Sequence, residues 1–172
     1  MGIFIVLLRA VNVGGTGNLS MSDLKAMCVS LGYAKVTTYI ASGNVLFECD
    51  EDAKTIKAAL EKELAAHAGK DVSVIVRSAK DMAEVLASNP FPKANGSRTV
   101  AIFLEQNAGE DVLSGIKGQK NEELCLGKKE VFIYYPDGIG QSKLIVPAAK
   151  SGTARNMNSI GKLVELANNL LG

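Results

Sequence analysis

The sequence predicts an α/β fold of the mixed α+β kind, made of two related halves. Three observations carry this expectation. Residues 3–8 are apolar throughout and rich in β-branched side chains, as a strand buried on both faces requires. A second such run lies at residues 99–105, and each run is followed by a similar order of expected elements. The 172 residues contain 47% hydrophobic and 22% charged side chains, a globular composition that excludes disorder and fibrous repeats.

After the first strand comes a glycine-rich loop over residues 12–18. Ser20 and Asp23 then mark a helix start. Leu24, Met27, Cys28 and Leu31 recur at helical spacing, and Gly32 is a stop. Cys28 is therefore a core residue. Ala34, Val36, Thr38 and Ile40 alternate with wetter residues as a strand, and Ser42, Gly43 and Asn44 form a turn into a return strand at residues 45–47. Acidic residues 50–52 open a second helix with Ile56, Ala59, Leu60 and Leu64 inward. Val72, Val74 and Val76 form another strand. The order is βαββαβ, a ferredoxin-like unit over residues 1–77.

A third helix and a connecting loop fill residues 78–97, with prolines 90 and 92 ending regular structure. Residues 98–172 read as a second α/β subdomain. Its expected parts are the apolar strand, a weak helix at 109–117 and a hairpin around Gly127. A helix from Gln141 follows, then a polar turn at 153–156 and a last helix with Ile160, Leu163, Val164, Ala167 and Leu171 on one face. This is a related βαββα unit with a final helix. A ferredoxin-like sheet covers only one face with its own helices. The other face needs a cover, and the favoured one is the opposite half, giving two packed subdomains. A second copy in a homodimer is the alternative.

Charge and cysteine usage narrow the function. Nineteen Lys and Arg balance eighteen Asp and Glu, for a net charge of +1, which argues against a dedicated nucleic-acid binder. Aromatic residues are 5% of the chain, too few for a base-stacking platform. The three cysteines have no metal-ligand spacing, so no metal is expected, and free thiols fit a cytoplasmic protein. The apolar start is too short to span a membrane and lacks a basic leader. One histidine, His67, is a poor basis for nucleophilic catalysis and reads as a packed or dipole-stabilising residue.

The remaining polar motifs suggest an anion. Arg9, Asn12, Gly14 and Gly15 sit where a buried strand enters a helix, where backbone N–H groups and the helix dipole favour negative charge. The segment is neither a Walker loop nor a dinucleotide fingerprint. In a β-α-β-β order the end of the first strand and the next hairpin share one end of the sheet, so this loop falls near Ser42 and Asn44. Ser142 with Lys143, and Arg155 with Asn156, are the matching pieces of the second half. The expected ligand is a small phosphate- or carboxylate-bearing molecule. No cofactor is specified. The other readings of these motifs are tight turns and helix caps in a structural or protein-interaction domain, and weak nucleic-acid binding through the same basic residues.

The chain resembles a bacterial family known as the domain of unknown function 1697. The marks are Leu8-Arg9 with Asn12 to Gly15, Thr38 to Ile40 with Ser42 to Val45, and Asn89-Pro90-Phe91. They continue with Tyr135-Pro136, Ser142-Lys143, Thr153, Arg155-Asn156 and Lys162-Leu163. The family has a tryptophan where this chain has Met157. The resemblance implies a two-part α/β fold with a ferredoxin-like half. It supplies no activity and no catalytic residue.

Overall fold

The computed structural model describes residues 2–9, 20–39, 43–69 and 71–171. They form a mixed α+β fold with two four-stranded antiparallel sheets and four α-helices. The chain divides into two compact units, Met1–Ala83 with Leu163–Gly172, and Glu84–Lys162.

The first unit holds β1 (Gly2–Leu8), α1 (Met21–Ser30), β2 (Ala34–Tyr39), β3 (Asn44–Cys49), α2 (Ala53–Ala68) and β4 (Val74–Ser78). Its strand order is β2-β3-β1-β4, with every neighbouring pair antiparallel, which is the ferredoxin-like arrangement. Local chemistry sets the helix ends. Ser20 Oγ accepts the Asp23 N–H at 3.0 Å to start α1, and Asp52 accepts the Thr55 N–H at 2.8 Å to start α2. Gly69, at φ +73°, ends α2. Leu24 and Cys28 of α1 and Ile56, Leu60 and Leu64 of α2 bury their stripes in one cluster with Val6, Leu8, Val45 and Phe47. On the other face of β1, Ile5 and Leu7 are also fully buried. The Leu8 N–H donates to the Gly43 carbonyl at 2.9 Å, so the exit of β1 and the β2–β3 turn lie at the same end of the sheet.

The second unit holds β5 (Thr99–Phe103), β6 (Glu123–Leu126), β7 (Glu130–Tyr134) and β8 (Thr153–Asn156). Their order, β6-β7-β5-β8, repeats the order of the first sheet, again fully antiparallel. The turn geometry repeats too, since Leu104 N–H donates to the Lys129 carbonyl at 2.8 Å, as Leu8 does to Gly43. Helix α3 (Ala79–Ala87) follows β4, and α4 (Met157–Leu171) follows β8.

The connections of the second unit correct the sequence reading in three places. The helix expected at 109–117 is a 3-10 turn at Glu110–Leu113, because Gly115 and Gly118 take φ values of +76° and +73° and prevent helical continuation. The helix expected from Gln141 is a 3-10 turn at Ile139–Gln141. The chain then runs extended, with Lys117 and Ile145 exchanging backbone bonds at 3.0 and 2.7 Å. Residues 153–156, expected as a turn, form the edge strand β8, whose backbone bonds to β5 replace the apolar content its sequence lacks. Leu171, expected inward on α4, is 65% exposed, while Ile160, Leu163 and Ala167 are buried.

Candidate functional site

In the second unit 3-10 turns stand between the strands, and β6 begins beside the end of β7, where Glu123 pairs with Tyr134. There a cleft of about 380 Å3 is lined by residues 118 and 120–122 before β6, and by Tyr135, Asp137, Gly138, Gln141, Ser142 and Lys143 after β7. Glu122 ties the two walls together. It accepts the Lys120 backbone N–H at 2.6 Å on one carboxylate oxygen and the Ser142 hydroxyl at 2.5 Å on the other. The Gln119 side-chain amide donates to the Glu122 carbonyl at 2.8 Å. The Ser142 hydroxyl, then the backbone N–H groups of Lys120, Glu122 and Asn121, hold the Glu122 carboxyl below its ordinary range, so it is charged at neutral pH.

The remaining lining groups follow from this anchor. Ser142 Oγ also accepts the Leu144 N–H at 3.1 Å, which fixes the turn into the extended segment. Asn121 donates its side-chain amide to Asp137 Oδ2 at 2.8 Å, a second bond between the walls. Burial, helped by the Glu122 charge, pushes the Tyr135 hydroxyl pKa up, so it remains protonated. The Tyr135 ring packs against the apolar cluster of Val100, Ile102, Val131 and Ile133. Gly118 is required here, since a β-carbon would collide with the Lys143 carbonyl. Ser142 is a poor nucleophile in this setting, because a carboxyl held below its ordinary range is a weak base.

The sequence-derived candidates fall into three groups. Ser142 and Lys143 line the cleft. Asn12, Gly14, Gly15 and Ser42 lie outside the described residues. Arg9 follows β1, Asn44 opens β3, and Arg155 and Asn156 lie in β8. Arg9 donates its backbone N–H to the Ser73 carbonyl at 2.9 Å. Asn44 is fully buried and donates its side-chain amide to the Tyr39 carbonyl at 3.0 Å, bracing the hairpin. Arg155 pairs with Ala101 across β5 and β8, and its guanidinium donates to Thr153 Oγ1 at 2.9 Å and the Ala154 carbonyl at 2.8 Å. Its desolvation lowers its pKa to about 10. Asn156 accepts the Ser159 N–H at 2.9 Å and caps α4.

Sequence reasoning missed Lys120, Asn121, Glu122, Tyr135, Asp137 and Gln141. Their partners are up to twenty residues away, so no local spacing announces them. Among the described residues no group of three or more His, Cys, Asp and Glu could hold a metal ion, and no helix is long and apolar enough to cross a membrane. Cys28 is fully buried and its thiol is pushed up to about 12 by desolvation. His67 Nε2 lies 3.8 Å from Asp23 Oδ2, at an exposed position on the last turn of α2.

A family described as a protein of unknown function, DUF1697, matches residues 1–132. The chain belongs to this family. The conserved bacterial protein SP0830 from Streptococcus pneumoniae has a similar structure, with a TM-score of 0.79 and 24% identity, covering 96% of this chain and 98% of that one. That likeness establishes the fold. None of the curated proteins matches the chain.

Proposed function

We propose that this DUF1697 member binds a small anionic ligand, bearing phosphate or carboxylate, in the cleft of its second unit. The observation that carries the reading is the state of the charged groups lining it. Among the described residues, neither the Lys120 nor the Lys143 ammonium has an ion-pair partner. Both neighbouring carboxylates are already engaged, Glu122 by Lys120 N–H and Ser142, and Asp137 by Asn121. The lysines are therefore available to a ligand anion, while Glu122 is held on both oxygens and Asp137 on Oδ2 by bonds inside the wall. Arg9, beside the β2–β3 turn through the Leu8–Gly43 bond, is the starting point for a second anion site with Asn12, Gly14, Gly15 and Ser42. Three free cysteines support a cytoplasmic setting.

A protein-interaction domain is the second reading. It is favoured by Ile139 and Ile145, 44% and 55% exposed, which flank the cleft residues in sequence. An NMR titration with inorganic phosphate separates the two. Shifts of the Lys120, Ser142 and Lys143 amides support the cleft. Shifts confined to residues 9–15 move the site to the first unit, and no shift at either place refutes anion binding. A steep loss of binding with salt, together with equal binding of any oligonucleotide, would instead mark nucleic-acid binding.

A further inference from the structure

We infer that the cleft of the second unit takes a non-aromatic, hydroxyl-bearing phosphate monoester, such as a sugar or polyol phosphate; the inference rests on the anion-binding reading of that cleft.

Three features select this class. The first is the type of cation. Among the described residues Lys120 and Lys143 line the cleft and no arginine does. Planar carboxylates are matched by the fork of a guanidinium, whereas an ammonium acts as a point charge that suits a phosphoryl group with charge spread over three oxygens. The second is the lack of a stacking surface. Tyr135 is the aromatic residue of the described lining, and its ring packs against the core cluster. Without an exposed aromatic face a nucleobase loses its stacking contribution, so nucleotides are disfavoured. The third is the balance of the other groups. Asn121, Gln141 and Tyr135 both donate and accept, and Asp137 Oδ1 accepts, which matches hydroxyl groups that also do both. A volume of about 380 Å3 is near the small end of ligand pockets and suits a monomer.

Calorimetric titrations of the full chain at low salt test this with ribose phosphate, glycerophosphate, adenosine monophosphate, citrate and inorganic phosphate. The expected result is that one of the two polyol phosphates binds at least tenfold more tightly than the other three probes. Lys143→Ala and Lys120→Ala, both at exposed positions, should each weaken that binding at least tenfold without changing the circular dichroism spectrum. Adenosine monophosphate or citrate binding as tightly, with the same lysine dependence, overturns the ligand class and leaves the anion site standing. Binding of every probe that is absent, or indifferent to both lysine substitutions, overturns the anion site and this inference with it.

Discussion

The Ser142 hydroxyl donates to Glu122 Oε2 at 2.5 Å and so joins two segments twenty residues apart in the chain. Because Glu122 also holds the Lys120 N–H, its charge keeps both cleft walls in place. A carboxyl whose folded pKa is depressed contributes stability above its unfolded pKa and loses it as pH falls through the folded value. The ordinary value is 4.5, and Glu122 lies below it in the folded chain. The melting temperature should therefore decline on acidification below about 4.5. Asp52, lowered by its bonds to Thr55, contributes in the same direction. Glu122→Gln isolates the cleft term. The variant should melt below the wild type at neutral pH, and the gap should shrink in acid. A gap that is constant with pH would show that the charge is not what joins the walls.

Of the cleft's lining, only Ser142 and Lys143 were legible as candidate ligand residues in the sequence, and the reason is physical. Strands buried on both faces leave a local signature, so residues 3–8 and 100–104 could be placed directly. So could caps, because Ser20, Asp52 and Ser78 act on backbone groups three residues away. Glu122 acts on Ser142 through tertiary structure and leaves no such trace. Strand β8, with the sequence Thr-Ala-Arg-Asn, owes its conformation to backbone pairing with β5 and carries almost no hydrophobic pattern. The segment at 109–117 resembled a helix in composition, and the positive φ of Gly115 and Gly118 decided against it.

Gly43 and Gly32 offer a controlled pair. Both have positive φ, +82° and +90°. A β-carbon at Gly43 would lie 2.9 Å from Leu8 Cβ, whereas nothing lies within 4 Å at Gly32. Gly32→Ala should cost about 1–2 kcal/mol, from the left-handed backbone alone. Gly43→Ala should cost about 1–3 kcal/mol more, from overpacking against β1. Urea denaturation of the two variants measures the difference, and equal losses would mean that Leu8 yields without strain.

The cysteines should separate by reactivity. Cys28 is fully buried with its thiol raised to about 12, Cys49 is buried, and Cys125 is exposed on the edge strand β6. The thiolate is the reactive form, so burial and a raised pKa both protect Cys28. A chromogenic disulfide reagent should modify one thiol rapidly in the native protein and all three in denaturant. Cys125→Ser should abolish the rapid phase. A second rapid thiol in the native state would show that the core around Cys28 and Cys49 opens on that timescale.

Arg155 provides the sharpest separation of fold from ligand. Its guanidinium donates to Thr153 Oγ1 and to the Ala154 carbonyl, and it is not among the residues lining the cleft. Arg155→Ala removes bonds from a charged donor and should cost about 1–3 kcal/mol of stability. Desolvation lowers the Arg155 pKa to about 10, so part of what the bonds contribute is offset by burying the charge. Arg155→Met keeps the apolar stem, removes the half-buried charge and should be destabilised less than Arg155→Ala. Binding of an anion in the cleft should change by less than about twofold in either variant, well short of the tenfold that a 1.4 kcal/mol contact represents. Denaturant melts and calorimetric titration of the same two variants settle the matter. A tenfold loss of binding with unchanged stability would make Arg155 a ligand residue and place the anion near β8.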